Sequence, residues 1–212
     1  GDLELGARPI GDGVVLALDA ATGAVAWHHR FVSEQAASAM SCVVRDGRLV
    51  VAGNFRYHVT LAGVRHATDG PYGAWVAELD PATGAERWAT AVTGPGMANP
   101  SELAVDARGH AWVVGKFTAE VGVDDHRVRS GGGEDGFVLE VGADGRARGL
   151  ERFGGRGGER LRRIAAHTDG RLAIAGHYVD RLQVGRFHLI SRGDADGLVI
   201  ELDPRAARGP AP

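Results

Sequence analysis

At 212 residues, with 24 basic and 27 acidic side chains and a formal net charge of -3, the sequence carries no basic field that would draw in nucleic acid or an anionic membrane. Its hydrophobic residues, 44% of the total, fall in short runs of Val, Ala and Leu. No run approaches the roughly 18 residues that a membrane-spanning helix needs. Cys42, the single cysteine, cannot form an internal disulfide, which excludes a disulfide-stapled scaffold.

The opening Gly1-Asp2-Leu3-Glu4 reads neither as a signal peptide nor as an initiator, so a segment of a longer protein is expected. Residues 3–6, Leu-Glu-Leu-Gly, match Leu182-Gln183-Val184-Gly185, and the chain is therefore expected to begin inside a repeat. A strand follows at Gly13 to Leu18, with counterparts starting at Trp75, Phe137 and Leu198. One face of it is apolar in all four copies (Leu16, Ala77, Leu139 and Ile200 among others). The other face carries Ala17, Glu78, Glu140 and Glu201, so half-buried strands with outward glutamates are expected.

Next comes Ala17-Leu18-Asp19-Ala20-Ala21-Thr22-Gly23-Ala24-Val25-Ala26-Trp27, which returns as Glu78-Leu79-Asp80-Pro81-Ala82-Thr83-Gly84-Ala85-Glu86-Arg87-Trp88 at an offset of 61 residues. Glycine in a shape that resists a Cβ, with Asp and Thr bonding back to nearby amides, predicts a hairpin into strands Val25 to Phe31, Glu86 to Val92 and Ala147 to Phe153. Trp27 and Trp88 occupy one site in the first two copies, and Gly149 stands there in the third. A large aromatic recurring in such a strand is expected to pack between sheets.

After a gap of small and polar residues, a second hairpin recurs. Its first strands are Ser41 to Val44, Leu103 to Asp106 and Ile164 to His167; its partners are Leu49 to Phe55, Ala111 to Phe117 and Leu172 to Tyr178. Aligned on these strands, Cys42 falls with Ala104 and Ala165 and is expected to be an inert core thiol. The partner strands end with Asn54-Phe55, Lys116-Phe117 and His177-Tyr178. Phe55, Phe117 and Tyr178 are expected to pack between sheets. Asn54, Lys116 and His177, different polar groups over one backbone position, are the candidate ligand-binding residues. The 18 or so residues before each new copy read as a long loop with one short strand, and Ser33 to Met40 is too short for an independent helix.

Four-stranded antiparallel sheets repeating every 61 residues predict an all-β fold, a β-propeller segment. The runner-up, an open β-solenoid, has shorter rungs. One segment over 1–204 is expected, with a partial blade at 1–31, blades at 40–92 and 101–153, a partial blade at 162–203, and a linker at 205–212. An incomplete ring follows from that count.

Two resemblances rest on these residues. The frame Asp135-Gly136-Phe137-Val138-Leu139-Glu140, Phe153-Gly154-Gly155 and Ala173-Ile174-Ala175-Gly176-His177-Tyr178 resembles the β-propeller repeats of bacterial cell-surface proteins, as does Leu103-Ala104-Val105-Asp106 with Gly109 and Val113-Val114-Gly115. That resemblance implies an extracytoplasmic or cell-surface protein. The narrower pattern Ala17-x-Asp19-x-x-Thr22-Gly23-x-x-x-Trp27 resembles the tryptophan-docking motif of quinoprotein-type propellers, which non-enzymatic outer-membrane assembly lipoproteins share. It implies that the Trp stacks between neighbouring blades.

The sequence offers no nucleophile elbow, no phosphate-binding Gly loop with Lys and no dinucleotide fingerprint. His28 and His29 alternate across a strand, and neither His-x-His nor His-Glu-x-x-His occurs, so no metal site is expected. Asp194 and Asp196 read as turn residues, and Arg192-Gly193-Asp194 as a chance tripeptide. The expectation is a non-catalytic scaffold or binding module with no catalytic residues and no cofactor. Its expected partners are the remaining blades of a parent chain or another subunit, and a protein or carbohydrate ligand. Neither nucleic acid nor membrane insertion is expected. The alternative is part of a quinoprotein-like dehydrogenase or propeller lyase whose key residues lie partly elsewhere.

Overall fold

The computed structural model describes residues 11, 13–184 and 187–204. The repeat match at residues 3–6, Gly185 and the linker 205–212 lie outside the described residues. Every regular element among the described residues is a β-strand, so no helix there is long and apolar enough to cross a membrane.

The strands fall into four successive units. The first is an antiparallel pair, β1 (Gly13–Leu18) and β2 (Val25–Phe31). The second is a four-stranded antiparallel sheet in the order β3 (Ala36–Arg45), β4 (Arg48–Arg56), β7 (Gly73–Leu79), β8 (Glu86–Val92), with a separate hairpin, β5 (His58–Leu61) and β6 (Val64–Ala67), inserted after β4. The third repeats this plan. Its sheet is β9 (Ala98–Val105), β10 (Ala111–Phe117), β13 (Asp135–Val141), β14 (Ala147–Phe153), and its hairpin is β11 (Glu120–Val123) with β12 (His126–Arg129). In the fourth, β15 (Arg160–Ala166), β16 (Leu172–Tyr178) and β19 (Asp196–Leu202) form a three-stranded sheet, with hairpin β17 (Arg181–Val184) and β18 (Phe187–Ile190). This is an all-β, propeller-like arrangement of antiparallel sheets. Among the described residues no ladder joins the first unit to the last.

The core lies between consecutive sheets. Phe31 meets Phe55, Trp75 and Leu79 in the first seam; Val50 and Val76 meet Leu103, Val113 and Phe137 in the second; Trp112 and Val138 meet Leu161, Ile164 and Ile174 in the third. Each such side chain contributes roughly 1.5–3 kcal/mol by leaving water. Backbone bonds also cross the seams: Thr60 N donates to Val32 O at 2.9 Å, and Gly122 N donates to Thr93 O at 2.8 Å.

Four expectations need correction. The residues before each new copy form a complete two-stranded hairpin rather than a loop with one strand. This hairpin supplies the cross-seam bonds just described. The central strands are not half-buried: β7 and β13 are buried along their whole length because a sheet covers each face, and only the copies in the terminal units, β1 and β19, stay partly exposed. Glu78 and Glu140 therefore do not point outward; they are 3% and 2% exposed.

Cys42 is exposed rather than a core thiol. The β3–β4 hairpin closes on a two-residue turn, Asp46-Gly47, both with positive φ, whereas β9–β10 needs the five residues 106–110. The alignment slips by one residue, and Cys42, opposite Val51, takes the place of Leu103 and Ile164, opposite Val113 and Ile174. Those residues are covered by the inner strand of the preceding sheet. Cys42 faces the β1–β2 unit, which supplies only two strands.

Candidate functional site

The tightest electrostatics lie at one end of the sheets. Arg48 opens β4, His110 and Arg171 immediately precede β10 and β16, and each meets the glutamate of the neighbouring strand. Arg48 is hydrogen-bonded to Glu78, His110 Nδ1 lies 2.7 Å from Glu140 Oε1, and Arg171 Nη1 donates to Glu201 at 2.7 Å. Trp88 Nε1 also donates to Glu78 at 2.8 Å. Asp106 accepts from Arg108, from Trp112 Nε1 and from the amides of Arg108 and His110. Burial pushes its pKa up, but these donors outweigh it and hold the carboxyl below its ordinary value. Such repeated pairs join strand to strand and occupy the buried carboxylates.

The tryptophans sit on the turns of the following copy. Trp27 Nε1 donates to Pro81 O at 3.0 Å and its ring covers Gly84; the ring of Trp88 covers Gly145. Both glycines have positive φ, and a Cβ on either would strike the indole. Phe55 and Phe117 are fully buried and Tyr178 nearly so. Gly149 leaves a small hollow beside Pro204, of about 70 Å³, where the third tryptophan would stand.

The opposite end of the strands brings Asn54, Lys116 and His177 to one edge. They face Ser38, Asn99 and Arg160 of the inner strands β3, β9 and β15. Asn54 Nδ2 donates to Asn99 Oδ1 at 2.9 Å, across to the next unit. Lys116 Nζ donates to Glu134 Oε1 at 2.6 Å, and Arg160 Nε, again from the next unit, donates to Glu134 Oε2 at 2.7 Å. Arg162 Nε lies 3.4 Å from His177 Nδ1.

Each inner strand breaks register just beyond these residues, so that Met40, Ser101 and Arg162 are bulged at intervals of 61. A β-bulge re-aims its side chain and leaves it out of the ladder. Together they border a groove of about 350 Å³ formed by Met40, Asn99, Pro100, Ser101 and Lys116, and closed by Arg160, Arg162 and Arg163.

Burial pushes Glu134 up, but Lys116 and Arg160 outweigh it and hold its carboxyl below the ordinary value. Burial, then the charges of Arg162 and Arg160, push His177 below its ordinary 6.5, with Glu134 opposing them. His177 is thus a neutral imidazole at pH 7, able to donate and accept. Sequence reasoning named Asn54, Lys116 and His177 as candidates and did not name Asn99, Arg160, Arg162 and Arg163, which the structure places beside them. The bulge interrupts the period-two pattern, and the residues before it had read as a gap. The recurrence of 40, 101 and 162 at the repeat interval was the available signal.

Among the described residues no group of three His, Cys, Asp or Glu side chains is placed to hold a metal ion. His29 Nε2 instead lies 2.8 Å from Glu86 Oε1.

A family model described as outer membrane protein assembly factor BamB matches residues 7–123, more than half of the sequence. The chain belongs to this family. The matched span reaches from before β1 to the end of β11, and so includes both tryptophan-docking turns read from the sequence. BamB-family membership accords with the quinoprotein-type repeat resemblance and does not show the resemblance to cell-surface repeats. A search of curated proteins finds no match.

Proposed function

We propose that this chain is a non-catalytic propeller segment serving as scaffold and binding surface within a bacterial extracytoplasmic protein. The residues that contact its ligand are Asn54, Lys116 and His177 on the bulged inner edge. The observation that carries the reading is the edge itself: one backbone position, repeated in three units, holds three different polar side chains beside a groove to which all three units contribute. A scaffold varied for recognition has this form, since specificity is grafted onto a repeated frame. Membership in a family described as an outer membrane assembly factor supports a binding role and a location outside the cytoplasm. In this reading the blades at 40–92 and 101–153 are complete units, and a parent chain or another subunit supplies the rest of the ring.

The quinoprotein resemblance defines the test. The purified chain is incubated with pyrroloquinoline quinone and calcium, and dye reduction is followed with alcohols and sugars. No quinone-dependent turnover is expected. Turnover that requires the added quinone would overturn the non-catalytic reading.

A further inference from the structure

The chain carries nearly equal numbers of basic and acidic side chains, with a slightly acidic net. The groove at the bulged edge is locally basic. Lys116, Arg160, Arg162 and Arg163 converge there from two units. Only Glu134 answers them, and it is taken by Lys116 and Arg160. The nearby Glu102 accepts from the amide of Ile164. Arg162 and Arg163 are exposed, and among the described residues neither lies within ion-pairing distance of a carboxylate. Arg162 meets His177, and Arg163 donates to the carbonyl of Arg162.

We propose that this groove binds an acidic peptide segment of a partner protein, whose carboxylates are gripped by the guanidinium groups of Arg162 and Arg163. The inference rests on the binding-module reading above and gives its ligand a chemistry. Guanidinium presents a planar fork that matches a carboxylate with two parallel hydrogen bonds. Glu134, seated between Lys116 and Arg160, shows the chain's own version of that contact one step along the same edge. The amide of Asn99 and the hydroxyl of Ser101 add neutral polar groups, and the exposed Met40 provides an apolar end. At about 350 Å³ the groove is at the small end of ligand pockets, with room for a short segment rather than a folded domain. Neutral His177 beside Arg162 adds a polar contact without a competing negative charge.

The test uses the full chain with fluorescein-labelled hexaglutamate, and hexaglutamine as control, read by anisotropy at low salt. Hexaglutamate is expected to bind and hexaglutamine not to, with affinity falling as salt rises. Arg162→Ser with Arg163→Ser is expected to weaken binding about tenfold or more, and Arg162→Lys, which keeps the charge but loses the fork, to weaken it less. Thermal melts of the variants should match the parent, since both side chains are exposed. In NMR the bound peptide should move the His177 titration to higher pH, because an anion beside the ring favours its protonated form. Undiminished binding in the double variant would overturn the proposal. So would an unmoved His177 titration, or displacement by inorganic phosphate at the peptide's own concentration, which would make the ligand a small oxyanion. These outcomes leave the quinone assay untouched, so the two readings fail separately.

Discussion

Replacing Trp75 by alanine is expected to lower stability by about 3–5 kcal/mol, read as a fall in the urea midpoint with little change in slope. The ring is 0% exposed and lies against Phe31 of the preceding unit, the ring centroids 4.0 Å apart. Its Nε1 donates to the carbonyl of Asn54 at 3.1 Å. Alanine therefore opens a cavity between two sheets and removes the indole donor to that carbonyl. Trp75→Phe keeps most of the area and loses the donor, so its cost should be nearer 1–2 kcal/mol. Trp88 is half-buried, and Trp88→Ala should fall below Trp75→Ala although the indole covers Gly145 and donates to Glu78. A loss under about 1 kcal/mol for Trp75→Ala would contradict seam packing as the source of stability.

Glu159→Gln is expected to act in the opposite direction, raising stability at pH 7 by about 1–2 kcal/mol. Asp135, the first residue of β13, and Glu159, just before β15, are buried together at the third seam, 0% and 1% exposed, with Arg152 Nη1 3.4 Å from Asp135 Oδ2. Gly131 N donates to Asp135 and Gly155 N to Glu159, each at 2.9 Å. Burial raises the pKa of both acids, and the charge of Asp135 raises that of Glu159 further. An acid whose folded pKa is raised releases its proton first in the unfolded chain. Stability is then lost as pH rises from the unfolded value, near 4, through the folded one, and is regained on acidification. Glutamine keeps an acceptor for Gly155, removes one charge and offers Asp135 a donor. The gain over the parent should shrink as the pH falls and the parent acids take up protons. A variant that is less stable at pH 7, or a gain that does not shrink on acidification, would contradict this account.

The architecture was legible because its information is repeated. Asp19 and Asp80 build the same turn, each accepting amides two and three residues on, and the tryptophan that follows returns at the same interval. The inserted hairpins were not legible. Their strands are four residues long, His126–Arg129 carries three basic side chains, and the turns at Ala62-Gly63 and Asp124 take positive φ at residues that seldom advertise it. The burial of Glu78 and Glu140 was hidden for another reason. A strand alternating apolar with charged residues reads as half-exposed unless the arginine, histidine or tryptophan that meets the charge is known. Of the candidate site, the repeated positions 54, 116 and 177 could be read, since register follows from the strands. The arginines opposite them depend on a bulge, and a bulge alters the face without altering composition.

The propeller-like stacking of the units can be measured through the bulge positions themselves. In a Cys42→Ala background, spin labels at Met40→Cys, Ser101→Cys and Arg162→Cys are paired two at a time, and the three distances are obtained by double electron–electron resonance. Because β9 lies between β3 and β15, and Met40 and Arg162 border one groove, the 40–101 and 101–162 distances should be similar and the 40–162 distance clearly shorter than their sum. A 40–162 distance equal to that sum would mean a straight stack of sheets, as in an open solenoid, and would contradict the curved, propeller-like edge on which the binding site depends.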